Sequence, residues 1–411
     1  MRSVIWLVLL FVVAVVAATA LGRNDALVSF YYGDWRLDVS LNLFLLSAAA
    51  IVFVLFAALE AIHSLLSLPL RAREWRALKR ERAAHAAMRE SLAELFAARY
   101  ARAQRAAQRA LDLQADVPML AGDREFTVLA HLLSASGLHR LQDKAGRDER
   151  IVLAQAQAGS GSAAEGILLL SAEWALEDRD AGRGMAMLAE LSPGVARRTQ
   201  ALRLKLQAAR LRKRPLEALQ TARLLAKHQG FSQAAALSLL RSLAFEALDQ
   251  AFDEGQLRAA WQALDAADRR DAWVVARAVR RAAQLGLLGL AQEWLQPSWE
   301  QAHKLEPEAR EQLALALVVC AEGLGSQWLP LVESLLVQHG REPAVVAAAG
   351  MTFAQRQLWG KARRLLEQTA SAESLSTPVR RMALRTLARI ARQEGDELVA
   401  GNCDQRAAAL E

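Results

Sequence analysis

The chain is poor in the residues that build metal centres, disulfide frameworks and sheets. Cysteine occurs twice in 411 residues, at Cys320 and Cys403. That excludes a disulfide scaffold, and there is no C-x-x-C pair or Cys/His cluster with metal-ligand spacing. Cys320 stands in the apolar run 313–321 and is expected to pack as a small hydrophobe. Of seven histidines, His85, His131, His139, His228, His303 and His339 are scattered, with no i, i+3 or i, i+4 pair to hold a metal. No G-x-S-x-G elbow is present, so Ser/His/Asp catalysis has no anchor in the sequence. Valine and isoleucine are thin after Trp75, and few runs there alternate with period two. Pro118, Pro193, Pro215, Pro297, Pro307, Pro343 and Pro378 read as falling between segments. What remains, dominated by Ala, Leu, Arg, Gln and Glu, is an all-α chain.

Two stretches lack charge almost entirely. Val4–Leu21 has Thr19 as its only polar side chain. A longer stretch, roughly Leu41–Leu68, is interrupted by Asn42, Ser47, Glu60, His63, Ser64 and Ser67 and is most apolar over Leu43–Leu59. About 20 apolar residues cross a hydrocarbon core as a helix, and a soluble core helix would normally show a polar stripe. The reading is a transmembrane hairpin over residues 1–70, with spans at about 4–21 and 43–66 and a loop at 22–40. Ala18-Thr19-Ala20 has the form of a signal-peptidase site, but cleavage there would leave the side of the C-terminal part unchanged.

Charge asymmetry sets the expected orientation. The loop holds Arg23 and Arg36 against Asp25, Asp34 and Asp38, whereas Arg71, Arg73, Arg76, Lys79, Arg80 and Arg82 fall within twelve residues after the second span. The positive-inside rule then makes the loop periplasmic and both termini cytoplasmic in a bacterial inner membrane. Tyr31, Tyr32, Trp35 and Trp6 lie where interfacial rings are expected. The net charge of +7 has its sharpest cluster beside a span, so anionic phospholipid is the expected partner of that cluster and nucleic acid is not. The remaining arginines read as solvated helix faces.

From residue 85 onward the chain reads as a repeat, with residues 71–98 forming a basic juxtamembrane helix that leads into it. Short turns followed by a small residue recur at Ala103, Ala186, Ala218, Ala260, Ala291, Ala362 and Ala400, with weaker copies at Gln142 and Leu331. The spacings run from 31 to 44 residues. This period predicts a tetratricopeptide-like α-solenoid of helical hairpins over 85–411, offering a concave face to a partner.

Candidate sites are few. Gly159-Ser160-Gly161-Ser162-Ala163-Ala164 matches a dinucleotide fingerprint by letters, but that motif needs a strand before it, and 151–158 reads as a helix end. A loop between helix pairs is expected. Glu60 and His63 lie three apart on one helix face near the end of the second span. An ionisable pair there either ligates a porphyrin metal or relays a proton, or simply stands in the headgroup layer ahead of Pro69 and Arg71, which is the better fit. Trp261, Trp273, Trp294, Trp299, Trp328 and Trp359 read as helix-packing residues ahead of a groove for a planar ligand.

The run from Trp35-Arg36-Leu37-Asp38-Val39-Ser40-Leu41-Asn42 through the span to Leu68-Pro69-Leu70-Arg71-Ala72-Arg73 resembles the N-terminal region of the proteobacterial HemY proteins, which carry tetratricopeptide-like repeats. Arg36, Ser40, Asn42, Pro69 and Arg71 match that pattern, over about residues 1–115. Where other members tend to have Arg or Leu near the end of the second span, this chain has Glu60. The resemblance implies a protein of late haem b synthesis without assigned catalytic residues. Such a protein would be a scaffold for ferrochelatase and protoporphyrinogen or coproporphyrinogen oxidase, or a factor that passes tetrapyrrole between them, with haem or porphyrin as ligand. A cell-envelope assembly scaffold unrelated to haem is the remaining alternative. The resemblance implies no flavin-dependent oxidase activity, since no N-terminal dinucleotide fingerprint is present.

Overall fold

The computed structural model describes residues 12–13, 26–228, 230 and 232–410, and among these the side chains of 64–73 and 118–119 are left aside. The expected first span at 4–21 and the Ala18-Thr19-Ala20 site fall outside the described residues, apart from 12–13. The described residues hold nineteen helices and one two-stranded sheet.

The described residues are helical in keeping with the all-α expectation, apart from one strand pair inside the stretch 22–40. Strand β1 (Leu27–Tyr32) pairs antiparallel with β2 (Trp35–Ser40), in register from Leu27 opposite Ser40 to Tyr32 opposite Trp35. Gly33 takes φ +59°, and Asp34 is not among the residues with positive φ, so glycine occupies the first central position of a two-residue hairpin turn. The signal was present in the sequence: Gly-Asp flanked by β-branched and aromatic residues is a hairpin cue.

Ser40 ends β2 and caps the next element. Its hydroxyl accepts from the Leu43 amide at 3.3 Å, and α1 runs without interruption from Leu41 to Phe96. At about 1.5 Å per residue this helix is about 84 Å long. Its first part, Leu41–His63, is long and apolar enough to cross a membrane and has no buried residue. Its last part changes character. Ala84, Ala87 and Ser91 are buried at i, i+3 and i+7, against Ala103, Ala106, Ala107 and Ala110 of α2 (Tyr100–Ala115). The Ser91 hydroxyl donates to the Ala103 carbonyl at 2.8 Å across this contact. A short α3 (Pro118–Ala121), α4 (Arg124–Arg140) and α5 (Lys144–Gln157) complete a compact unit that ends at Gln157. In it, Gln114 donates to the Leu120 and Asp123 carbonyls and to the Thr127 hydroxyl, satisfying the α2–α4 connection.

The second unit starts at Ala158. It comprises α6 (Ser162–Glu177), α7 (Ala181–Ala189), α8 (Thr199–Leu211), α9 (Pro215–Lys227), α10 (Gln233–Asp249), α11 (Glu254–Ala263) and α12 (Ala272–Gln284). These are followed by α13 (Leu288–Trp299), α14 (Pro307–Val319), α15 (Trp328–His339), α16 (Pro343–Gln355), α17 (Trp359–Ser371), α18 (Thr377–Gln393) and α19 (Glu397–Ala408). From α10 onward the first helix of each hairpin also packs on the first helix of the next, giving the pairs α10–α12, α12–α14, α14–α16 and α16–α18. One buried apolar cluster runs from Leu202 to Ala407, and a smaller one gathers Ala172, Leu176, Leu188 and Leu204.

The repeat has a local physical cause. At Ala98, Gln142, Arg179, Lys213, Gly286, Gln357 and Gly395 the backbone turns left-handed just past a helix end. Each time, the amide of the following residue donates to a carbonyl five residues back, as from Arg99 to Glu94, Asp180 to Ala175 or Leu358 to Phe353. This is a Schellman-type stop; the next helix begins one residue later, so the chain reverses within two residues. Five of the seven positions are not glycine, which hid the pattern from composition. The small residue opening the second helix is buried at Ala103, Ala218, Ala260, Ala291, Ala362 and Ala400. Gln142 is instead the turn residue itself. In α7 Gly184 makes the close approach and Ala186 is exposed: a Cβ on Gly184 would lie 2.9 Å from Leu176 Cδ2.

Prolines open helices more often than they separate them: Pro118, Pro215, Pro307, Pro343 and Pro378 sit in first turns, where the missing N–H is harmless. Pro297 departs from the expectation, lying inside α13 near its end.

Candidate functional site

Several arginines expected on solvated faces brace neighbouring hairpins, and one of them, Arg310, is buried. Arg310 is 4 % exposed. It donates from Nε and a terminal nitrogen to both Glu342 oxygens at 2.8 and 2.7 Å, and from the other terminal nitrogen to the Leu305 carbonyl at 2.8 Å. Those hydrogen bonds hold the Glu342 carboxyl below the ordinary glutamate range; burial opposes them, and the charges of Arg310 and His339 add to them. Arg241 and Asp271 form a comparable pair at 2.9 Å, and Asp271 also caps α12 through the Trp273 amide. Arg223 reaches Asp265 and Asp268, and Arg277 reaches Asp249. These pairs join successive hairpins.

Of the six tryptophans expected to pack between helices, three are buried, and Trp261, Trp273 and Trp359 are half-buried. Trp294, Trp299 and Trp328 are buried, Trp261 stacks on Trp294 at 4.7 Å, and Trp299 meets Trp328 edge-on at 6.2 Å. Cys320 is fully buried, and burial pushes its thiol up to about 12; burial also raises the Cys403 thiol. Both are free. Gly159-Ser160-Gly161 is the connection between α5 and α6, and the element before it is a helix, which removes the dinucleotide reading.

Glu60 and His63 lie on α1, both exposed, at the far end of its apolar part. No group of three or more His, Cys, Asp or Glu that could hold a metal occurs among the described residues. Arg76, Lys79, Arg80 and Arg82 follow on the same helix, all exposed, and the Lys79 ammonium stands 5.2 Å from the centre of the Trp75 ring. Pro69, Arg71 and Arg73 are helical positions whose side chains are not described.

Two of the resembling residues have clear structural work. Ser40 caps α1, as above. Arg36 donates from Nε to Asp38 at 3.0 Å and lies over the Tyr31 ring at 5.7 Å. The Ser29 hydroxyl donates to the same Asp38 oxygen. That hydrogen bond, then the one from Arg36, lowers the Asp38 carboxyl below its usual value. Asn42 sits in the first turn of α1 and is not without a partner.

Sequence reasoning missed one cationic surface. On α18, Val379, Ala383, Leu384, Leu387 and Ala391 are buried, and Arg381, Arg385 and Arg389 recur at four-residue spacing on another face. With Pro378, Met382 and Thr386 they line a shallow groove of about 320 Å³. Arg381 donates to the Leu410 carbonyl at 3.0 Å, whereas Arg385 and Arg389 are exposed and make no ion pair among the described residues. The run 380–392 carries this spacing openly in the sequence.

A strand hairpin capped onto a membrane-length apolar helix, followed by packed helical hairpins, defines a predominantly helical protein with one helix fit to cross a bilayer. Residues 27–122 match the family model described as the HemY protein N-terminus, so this part of the chain is similar to that of the HemY proteins. The match runs from the first residue of β1 to the residue after α3, and so takes in the whole of α1 with Arg36, Ser40, Asn42, Pro69 and Arg71. No curated protein matches the chain.

Proposed function

We propose that this protein is a bacterial inner-membrane scaffold of late haem synthesis, in which a tetratricopeptide-like solenoid on the cytoplasmic side organises partner enzymes at the bilayer. The observation that carries the reading is α1. One uninterrupted helix leads from an apolar, wholly unburied segment into the alanine contact with α2, so the helices of the first unit follow the apolar segment without a flexible linker. The family match supplies the link to haem. The basic run on the same helix supports the orientation, by the positive-inside rule, and contact with anionic phospholipid. Arg71 to Arg82 climbs about 17 Å along a helix axis, and surface charge is screened beyond about 8 Å in physiological salt. Charge reversal should therefore weaken lipid contact most at the foot of the run and least at Arg82.

The partners on this reading are ferrochelatase and the preceding protoporphyrinogen or coproporphyrinogen oxidase. The exposed arginines of α18 offer a face for an acidic partner surface. The reading is non-enzymatic and requires no resident cofactor. Affinity purification of the intact protein from detergent-solubilised membranes of cells making haem should recover one of these enzymes; recovery of neither overturns the scaffold. Tetrapyrrole handling has less support, because Trp294, Trp299 and Trp328 are buried and Trp261 stacks on Trp294 rather than offering a free ring. An absorbance shift on titrating protoporphyrin or haem at micromolar concentration would reinstate it.

A further inference from the structure

The β1–β2 hairpin sorts its side chains by face. Residues directly opposite in an antiparallel pair project to the same side. One face therefore carries Val28 with Val39, Phe30 with Leu37, and Tyr32 with Trp35. The other carries Leu27 with Ser40, Ser29 with Asp38, and Tyr31 with Arg36. The first face is wholly apolar and aromatic, and much of it is bare: Phe30 is 46 % exposed, Leu37 63 %, Tyr32 87 % and Trp35 82 %. The second holds the Ser29–Asp38–Arg36 hydrogen bonds and the Arg36–Tyr31 contact. Tyr31, one residue from Tyr32, thus belongs to the polar side.

The hairpin cannot swing freely from the helix that follows it. Ser40 is the last residue of β2 and the cap of α1, the Leu41 amide donates to the Ala26 carbonyl at 2.9 Å, and the Phe30 ring lies 5.6 Å from that of Phe44 in the first turns of α1. The apolar face is therefore continuous with the apolar surface of Leu41–His63. Whatever solvates that helix also reaches the hairpin.

We infer that the hairpin lies in the interfacial layer of the bilayer at the N-terminal end of the span, with Val28, Phe30, Tyr32, Trp35, Leu37 and Val39 turned to lipid and the Ser29–Asp38–Arg36 side turned to water. Tyr32 and Trp35 flank the turn, where rings with one polar edge are favoured at the acyl–headgroup boundary. The hairpin thereby fixes the depth at which the helix enters.

The test uses the full chain with Cys320→Ala and Cys403→Ala, reconstituted in phosphatidylethanolamine/phosphatidylglycerol vesicles. Single cysteines replace Val28, Ser29, Phe30 and Tyr31 and carry a nitroxide. A label at Val52 serves as control for insertion of the span. Collision with oxygen, which concentrates in lipid, should exceed collision with a water-soluble nickel chelate at 28 and 30, and the order should reverse at 29 and 31. Equal nickel access at all four sites, with Val52 still in lipid, overturns the inference. So does shielding of 28 and 30 from both reagents, which would mean that protein covers the face. A second measurement leaves the apolar pairs other than Tyr32–Trp35 intact: the emission lost in Trp35→Phe should be quenched by lipids brominated near the headgroup end of the acyl chain, and absence of quenching counts against it.

Discussion

Two apolar helices in this chain meet opposite fates. Leu41–His63 buries none of its side chains and exposes most of its large ones, among them Phe53, Leu55 and Phe56. In α16 every residue from Ala344 to Ala354 is buried. Hydropathy alone does not separate them; length and side-chain size do. Thirteen residues make about 20 Å of helix, short of the roughly 30 Å hydrocarbon core. α16 also gives its neighbours room through Ala344, Ala347, Ala348, Ala349 and Gly350. A Cβ on Gly350 would stand 3.0 Å from Leu366 Cδ2, and α14, α15, α17 and α18 all pack against it. A helix made of small residues is shaped for protein, and one made of large branched and aromatic residues is shaped for fluid chains.

The sharpest way to break this contrast is one charge placed in each helix. Ala348→Asp should unfold the second unit, since an unpaired buried carboxylate costs several kcal/mol or more; circular dichroism would record the loss of the cooperative transition. Val52→Asp should leave that transition in place and cost about 2.5–3.5 kcal/mol of membrane insertion, read as the fraction of chain extracted by alkaline carbonate.

Arg310→Ala strikes the brace between α14 and the residue that precedes α16. It leaves Glu342 with His339 alone and strands the Leu305 carbonyl, and should destabilise by about 1–3 kcal/mol in denaturant titration. Arg310→Lys should recover only part of this, because an ammonium cannot reproduce the two-point grip on the carboxylate. Gly350→Val should cost about 1–3 kcal/mol through overpacking, whereas Ala49→Val in the exposed helix should leave the same transition unmoved.

The depressed Glu342 carboxyl adds a pH term of defined sign. A folded-state pKa below the unfolded one contributes stability above the ordinary glutamate value near 4.3, and that stability is lost as pH falls through the folded value. The stability gap between the wild type and Glu342→Gln should therefore be full at neutral pH and close in acid below about pH 4. The smallest effect expected is a gain: Gln357 follows α16 at φ +60°, and Gln357→Gly should stabilise by about 1 kcal/mol by relieving the left-handed strain. Unchanged melting would show that the turn is held by its Leu358–Phe353 hydrogen bond alone.

Much of the helical half was legible because its signals are local. Short turns, small residues after them and their recurrence every 31 to 44 residues all appear in a linear reading, and the burial of Ala218, Ala291, Ala362 and Ala400 follows from it. The β-hairpin escaped because its strands have six residues each and stand beside a far stronger apolar signal. Arg36 and Ser40 were recognisable as letters of a pattern, but their work required coordinates: one aligns Asp38 and Tyr31 across a strand pair, the other caps an 84 Å helix. The stripe Arg381, Arg385 and Arg389 could have been read from its spacing. That Arg385 and Arg389 make no ion pair among the described residues could not.

By itself the sequence determined where the chain is apolar enough to leave water, where it reverses, and that helices would fill most of it, because these depend on neighbours within a few residues. Tertiary structure decided which apolar helix is covered by protein and which is bare. It also turned Arg310 from a surface charge into a buried brace and divided Tyr31 from Tyr32 between two faces. Each of those outcomes depends on groups brought together from distant positions, or on the hand of a strand pairing, and neither is written in any short window of residues.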